Sequence, residues 1–264
     1  MAGERGYLLA ESTADGESAR LALLERLYDE ATFRRLDALG IAAGSRCLEA
    51  GAGRGSVARW LSAGVGAAGH VVAADLDCRF LTGLPGNVEV RTLDIRDAEL
   101  EPASYDLVHC RALLMHVADP AAALRTMLAA LRPGGVLLAE EADFGLLTYG
   151  GHPDAAWATA RAHRGFAELA SANVMNAYLG RLLPGLLTDA GLELLGAEVD
   201  SRVSRSGEPD FELQRLTVVE AGPSLVAAGL LTEDEQARSR QVVDSPATVL
   251  TTTSVVAAWG RRPG

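Results

Sequence analysis

Positive charge is in short supply in this sequence. Against 35 acidic side chains stand 24 basic ones, a formal net charge of −11 at pH 7, and no block of like charge stands out. A nucleic-acid backbone or an anionic membrane asks for a basic face, so neither is expected as a partner. Cysteine is equally scarce. Cys47, Cys78 and Cys110 lie far apart with no CxxC pair. That favours reduced thiols in the cytoplasm over a zinc site or a disulfide framework. No apolar run approaches the roughly 18 residues of a membrane span. The first residues, MAGERGYLLAEST, lack the basic-then-apolar pattern of an export signal. Histidine, aspartate and glutamate do not cluster at metal-ligand spacing, so metal-independent chemistry is expected.

What is present suits a large core. The chain has 264 residues, 48% of them apolar, enough for one α/β domain with insertions or two small domains. Leu21, Leu24, Leu27, Tyr28, Phe33 and Leu36 recur at helical spacing over 17–38. Strands are expected at Arg46–Ala50, His70–Ala74, Val88–Leu93, Tyr105–His109 and Val136–Ala139. A helix follows the first strand from Val57, and GVGAAG (64–69) breaks it. Asp119-Pro120 begins another, with Asp as N-cap and Pro in the first turn, and Arg132-Pro133-Gly134-Gly135 stops it.

Strand and helix thus alternate up to Glu140 and Glu141. This rhythm implies a parallel, doubly wound α/β sheet with ligand groups at the carboxyl ends of its strands. Beyond it, a helix is expected over 153–173 and another over Arg181–Ala190, stopped by Gly191. Late strands are expected at Leu192–Val199 and Val249–Trp259, with an insertion between them whose Thr232 and Glu235 suit a capping box.

The ligand chemistry centres on Cys47–Leu61, CLEAGAGRGSVARWL. Gly51, Gly53 and Gly55 form a turn in which a ligand can lie against bare backbone at a helix N-terminus. A dinucleotide turn would carry glycine where Ser56 stands. Glu49, two residues before the first glycine, can accept hydrogen bonds from a cationic amino group but would repel a pyrophosphate. Asp75 ends the second strand beside the turn, where a carboxylate can take paired ribose hydroxyls, with Asp77 as second choice. Asp94 follows the third strand and can accept from an adenine amine, with Ile95 flanking the ring.

With LEAGAGRG (48–55), VVAAD (71–75), LDI (93–95), YDLVHCRALLMHV (105–117) and LRPGGVLLAEE (131–141), the chain resembles class I, Rossmann-like S-adenosylmethionine-dependent methyltransferases. The Ala/Gly/Arg-rich, Lys-poor composition resembles the bacterial natural-product enzymes of that family. The resemblance implies a seven-stranded, mostly parallel sheet with helices on both faces and helical lid insertions. It implies a single domain over 1–264, with a helical cap (1–40), a cofactor core (45–141) and substrate-side insertions (142–176 and 205–245). The cofactor would be S-adenosylmethionine, leaving as S-adenosylhomocysteine. Its implied contacts are Tyr7, Glu49, Gly51, Gly53, Asp75, Leu76, Asp94, Ile95, Cys110 and Arg111. Cys110-Arg111-Ala112 replaces the Asn/Asp-Pro-Pro-aromatic box of enzymes that methylate base or amide nitrogens, which points to a small-molecule acceptor.

Methyl transfer asks the protein to align the nucleophile, exclude water and, for a hydroxyl, remove a proton. Among His116, His152, His163, Glu140, Glu141 and Asp143, the candidate bases taken forward are His116, His152 and Glu141. Trp157, Phe166, Met175, Tyr178 and Phe211 either line an apolar acceptor site or form the core of the insertions. A protein of this fold that does not methylate, a cyclase or a noncatalytic partner subunit, is the alternative. A nicotinamide-dependent oxidoreductase fits less well, because of Ser56 and Glu49. A homodimer through the N-terminal helix or an insertion stays open.

Overall fold

The computed structural model of the protein describes residues 14–96, 98–146, 149–150, 153–172, 175–251 and 253–264. Two compact units emerge, one built from 12–141, 180–198 and 256–264, the other from 142–179 and 199–255. In chain order the elements begin α1 (Ala14–Leu39), β1 (Arg46–Ala50), α2 (Ser56–Val65), β2 (His70–Asp75), β3 (Val88–Thr92) and β4 (Tyr105–Arg111). They continue α3 (Pro120–Ala130), β5 (Leu131–Asp143), β6 (Tyr149–Gly150), α4 (Pro153–Ala172), α5 (Leu183–Asp189), β7 (Glu193–Asp200) and β8 (Val203–Arg205). The last are α6 (Pro209–Ala227), α7 (Glu233–Val243), β9 (Val249–Thr251) and β10 (Ser254–Arg261).

The larger unit is organised by a seven-stranded sheet of order β3-β2-β1-β4-β5-β10-β7. β1 lies parallel to both β2 and β4, so the winding direction reverses between β1 and β4. Helix α2 starts directly after the left-handed Gly55 and buries Val57, Ala58, Leu61 and Val65 against the sheet. That spacing is one face of a helix. Phe33 of α1 stacks on Trp60 of α2 with ring centroids 5.3 Å apart. At α3 the expected cap is in place: Asp119 accepts the Ala122 N–H at 3.0 Å and Pro120 fills the first turn.

Two expected boundaries are corrected. Arg132–Gly135 does not leave the sheet as a turn, because β5 already begins at Leu131, paired with Tyr105 across a register irregularity. Gly134, at φ 80°, absorbs the local kink, and the backbones of Gly134 and Gly135 bond to Arg262 at 2.9 Å each. The late strand expected over Val249–Trp259 is two strands. β9 pairs antiparallel with β6 and β8 in a separate three-stranded sheet, while β10 joins the large one. Apolar periodicity runs straight through such a change of sheet and does not mark it.

In the smaller unit α4, α6 and α7 accompany the three-stranded sheet. The capping box forms at α7: Thr232 Oγ1 accepts the Glu235 N–H at 3.2 Å, and Glu235 accepts the Thr232 N–H at 2.8 Å. Phe166, Met175 and Phe211 are buried in this unit, and the Phe144 and Phe166 rings lie 5.4 Å apart. These side chains act as its core. A buried polar chain runs beside them, from His163 to Gln214 at 3.1 Å and from the Gln214 amide to Thr253 Oγ1 at 2.5 Å. The side chain of Trp157 lies outside the described residues.

Candidate functional site

The carboxyl ends of β1, β2 and β4 converge at the reversal point, where open α/β sheets take their ligands. Gly51 and Gly53 sit at φ 73° and 55°, backbone that only glycine adopts without strain. The N–H groups of Gly51 and Ala52 both donate to the Ala74 carbonyl, at 2.8 and 3.0 Å, which pins the turn onto the end of β2. A Cβ on Gly51 would approach the Leu113 side chain to 3.2 Å, and one on Gly53 would touch Leu21 of α1.

Asp75 closes β2 against this turn. Its carboxylate accepts the Gly53 N–H at 2.8 Å and the Asp77 N–H at 3.0 Å. Asp77 is committed elsewhere, to the Arg79 guanidinium at 2.6 Å. Leu76 follows with 67% of its surface exposed, an apolar side chain left in water beside the Asp75 carboxylate. Asp94 is paired side-on with Arg96, which holds its carboxyl below the usual range, and Ile95 beside it is buried.

Glu49 departs from the expected picture. The next cation along the chain, Arg54, turns away, donating to the Ser18 carbonyl at 3.2 Å and facing Glu25. Glu49 is 3% exposed, and its Oε2 lies 2.6 Å from Nδ1 of His109 on the neighbouring strand. Register places them side by side, Glu49 opposite His109. The other ring nitrogen of His109 stands 3.2 Å from Glu140 Oε2. Glu140 in turn accepts from Thr32 Oγ1 and Arg35 Nη1 of α1, both at 2.5 Å.

Burial opposes charge on His109, yet Glu49 and Glu140 outweigh it and push its pKa up to about 9. Burial likewise opposes charge on Glu140, but His109 and Arg35 bring it down to about 2. For Glu49 burial dominates and raises the carboxyl, with His109 pulling the other way. Sequence reasoning passed over His109. The available signal was a histidine inside the apolar run of β4, two residues before the end of its strand, as Glu49 is one residue before the end of β1.

Arg111 reaches across to α1, donating to Thr32 Oγ1 at 2.9 Å and Asp29 at 2.8 Å, and Ser56 donates to the same Asp29 at 3.0 Å. The Cys110 thiol is buried, and burial holds it well above its ordinary range, so it is not a thiolate. Ala112 adopts a left-handed φ of 50°, uncommon for a side-chain-bearing residue, and its N–H donates to the Glu140 carbonyl.

Glu141, expected just past the end of the fifth strand, lies inside β5, which runs on to Asp143, and is fully buried. Its carboxylate accepts the N–H groups of Leu113, Leu114 and Met115 at 3.0, 2.6 and 3.3 Å. Burial pushes its pKa up to about 7 despite these bonds. The turn it holds carries His116, whose pKa burial and the nearby Arg20 lower to about 4. His116 is therefore uncharged at neutral pH. His152 and Tyr7 lie outside the described residues. Among the described residues no group of three or more His, Cys, Asp or Glu is arranged to hold a metal ion.

Residues 23–196 match the model of the family described as "Methyltransferase domain". An uncharacterized 37.1 kDa protein in transposon TN4556 of Streptomyces fradiae is 34% identical over 163 residues, 59% of this chain and 46% of that protein. The ubiquinone/menaquinone biosynthesis C-methyltransferase UbiE of Vibrio vulnificus (strain YJ016) is 31% identical over 127 residues, 45% of this chain and 48% of its own. The chain thus spans about half the length of the curated relatives it matches. Among solved structures, phosphoethanolamine N-methyltransferase 2 of Haemonchus contortus, in complex with phosphomonomethylethanolamine and S-adenosylhomocysteine, superposes with a TM-score of 0.60 at 16% identity. That alignment covers 100% of this chain and 61% of the other.

Proposed function

Since the chain belongs to the methyltransferase-domain family and has the class I S-adenosylmethionine-dependent fold, we propose that it moves a methyl group from that cofactor to an oxygen, nitrogen or carbon of a small-molecule acceptor. The observation that carries this is the trio of carboxylates at successive strand ends around the glycine turn: Glu49, Asp75 and Asp94. The residues fit the group. Glycine at 51 and 53 lets the turn take its left-handed course at the end of β1, beside which the methionine part would lie. Asp75 suits the ribose hydroxyls, exposed Leu76 and buried Ile95 suit the faces of a purine, and Asp94 suits its exocyclic amine. When bound, S-adenosylmethionine supplies an electrophilic methyl on a sulfonium, so the chain's own task is alignment and exclusion of water.

Within that task Glu141 positions the 113–116 turn by holding three of its amides. His116, neutral and on that turn, is the proposed proton acceptor for a hydroxyl acceptor, with His152 the second candidate. Arg111 and Cys110 form the floor at the methyl end. The acceptor is proposed to be a secondary metabolite. The net charge of −11 and the Cys-Arg-Ala sequence after β4 support this over a nucleic acid. Reduced cysteines support a cytoplasmic setting, and among the described residues no helix is long and apolar enough to cross a membrane.

Calorimetric titration with S-adenosylhomocysteine tests the reading, followed by transfer of an isotopically labelled methyl group to panels of phenols, amines and enolisable carbons. Saturable binding with labelled product supports it. Binding together with conversion of a substrate that gains no label would favour a non-methylating enzyme of the same fold. Absence of binding, with or without acceptor, would overturn it.

A further inference from the structure

His109 has no part in the function proposed above, yet it joins two of the strands that build the site. It sits wholly inside the protein between two carboxylates, Glu49 on β1 and Glu140 on β5. Its own strand adds Cys110 and Arg111, and α1 contributes Thr32 and Arg35, both of which reach it only through Glu140. Arg35 is shared between Glu140 and Glu198 of β7, so a protonated His109 is the cation that directly faces both Glu49 and Glu140. An unbalanced buried carboxylate is costly and takes up a proton instead. A protonated Glu49 would meet a cationic amino group with a neutral acceptor only and lose the charge that pairs with it.

We propose that His109 is a positioning residue for cofactor binding: its imidazolium keeps Glu49 ionised and fixed at the glycine turn, ready for the cationic amino group of the cofactor. This rests on the reading in which Glu49 receives that group. His109 engages Oε2 of Glu49, and the second carboxylate oxygen is the one assigned to the ligand. The Arg35–Glu140–His109–Glu49 chain makes α1 part of the same arrangement, since Arg35 and Thr32 hold Glu140 under the imidazole.

The test compares S-adenosylhomocysteine with 5′-methylthioadenosine, which keeps the nucleoside and lacks the amino acid. His109→Gln is expected to weaken the first by at least about tenfold and the second by less than about twofold. In a Glu49→Gln background the same change is expected to cost less than about twofold, because the charge it serves is gone. Equal weakening of both ligands, or of neither, would overturn the proposal. A second measurement needs no variant to fold. Wild-type binding of S-adenosylhomocysteine at neutral pH, followed by calorimetry in buffers of different ionisation enthalpy, is expected to release no proton. Release of about one proton would mean that Glu49 is protonated in the free protein, and would overturn the proposal. Wild-type protein that binds 5′-methylthioadenosine but not S-adenosylhomocysteine also counts against it. Protein that binds neither overturns the cofactor reading itself, and this role with it.

Discussion

Asp75 accepts the backbone N–H of Gly53 at 2.8 Å, so the carboxylate that ends β2 also fixes the glycine turn that ends β1. One side chain therefore shapes the backbone cradle and supplies a charged acceptor beside it. Losing it removes both at once, whereas an amide keeps one acceptor oxygen.

Substitution at this position separates the two roles. Asp75→Asn is expected to weaken S-adenosylhomocysteine binding by about tenfold, and Asp75→Ala by about a hundredfold, at about 1.5–3 kcal/mol per hydrogen bond to a charged group. Calorimetric dissociation constants check it. Equal affinity in all three proteins would detach Asp75 from the ligand.

Gly51→Ala meets two obstacles together. The φ of 73° disfavours any side chain, and the new methyl would stand 3.2 Å from Leu113. A loss of about 1–3 kcal/mol in unfolding free energy is expected, with weakened ligand binding, because the turn must shift. Urea denaturation together with the ligand titration measures both effects.

Much of this arrangement was legible before any coordinates. The glycines, Asp75, Asp94 and the five leading strands are each announced by local signals: apolar runs of strand length ending in a carboxylate or glycine. His109 was not, because its role depends on Glu49, 60 residues away in sequence and adjacent only across the β1–β4 register. The partners of Arg111 escaped for the same reason, since Asp29 lies on a helix 82 residues earlier. Glu141 was visible as an edge carboxylate. What it does is set by three amides of a turn whose closeness follows from tertiary packing rather than from any spacing.

Glu141→Gln should therefore act first on structure. An amide can accept through only one oxygen, and its NH2 would face backbone donors. A loss of about 1–3 kcal/mol is expected, with a fall in turnover that follows displacement of the His116 turn. A variant as stable as wild type, with turnover abolished, would instead make Glu141 the proton acceptor.

His109 also sets a pH dependence. Its pKa is raised from the ordinary 6.5 to about 9 on folding, so the folded state holds a proton that the unfolded chain gives up. The stabilisation is complete below pH 6.5 and disappears as pH rises through about 9, with an amplitude on the order of 3 kcal/mol. Glu141 acts in the same direction but finishes near pH 7, and the buried Cys47 and Cys110 thiols, both raised, add a fall of the same sign only as pH nears 9, so the interval from about 7 to about 8 reports His109. Urea midpoints should fall across that interval. A flat profile would mean that the imidazole is neutral inside the protein.

The order of strands in the large sheet has a consequence for how the chain comes together during synthesis. β7 (Glu193–Asp200) reaches that sheet through β10 (Ser254–Arg261), which lies between it and β5. A growing chain that has already produced β7 must wait for β8, α6, α7 and β9 to follow before the strand that seats it exists. Pairings so distant in sequence form slowly and leave exposed edges in the meantime. Until then β7, with its exposed Leu194 and Leu195, is the segment a chaperone has most reason to cover.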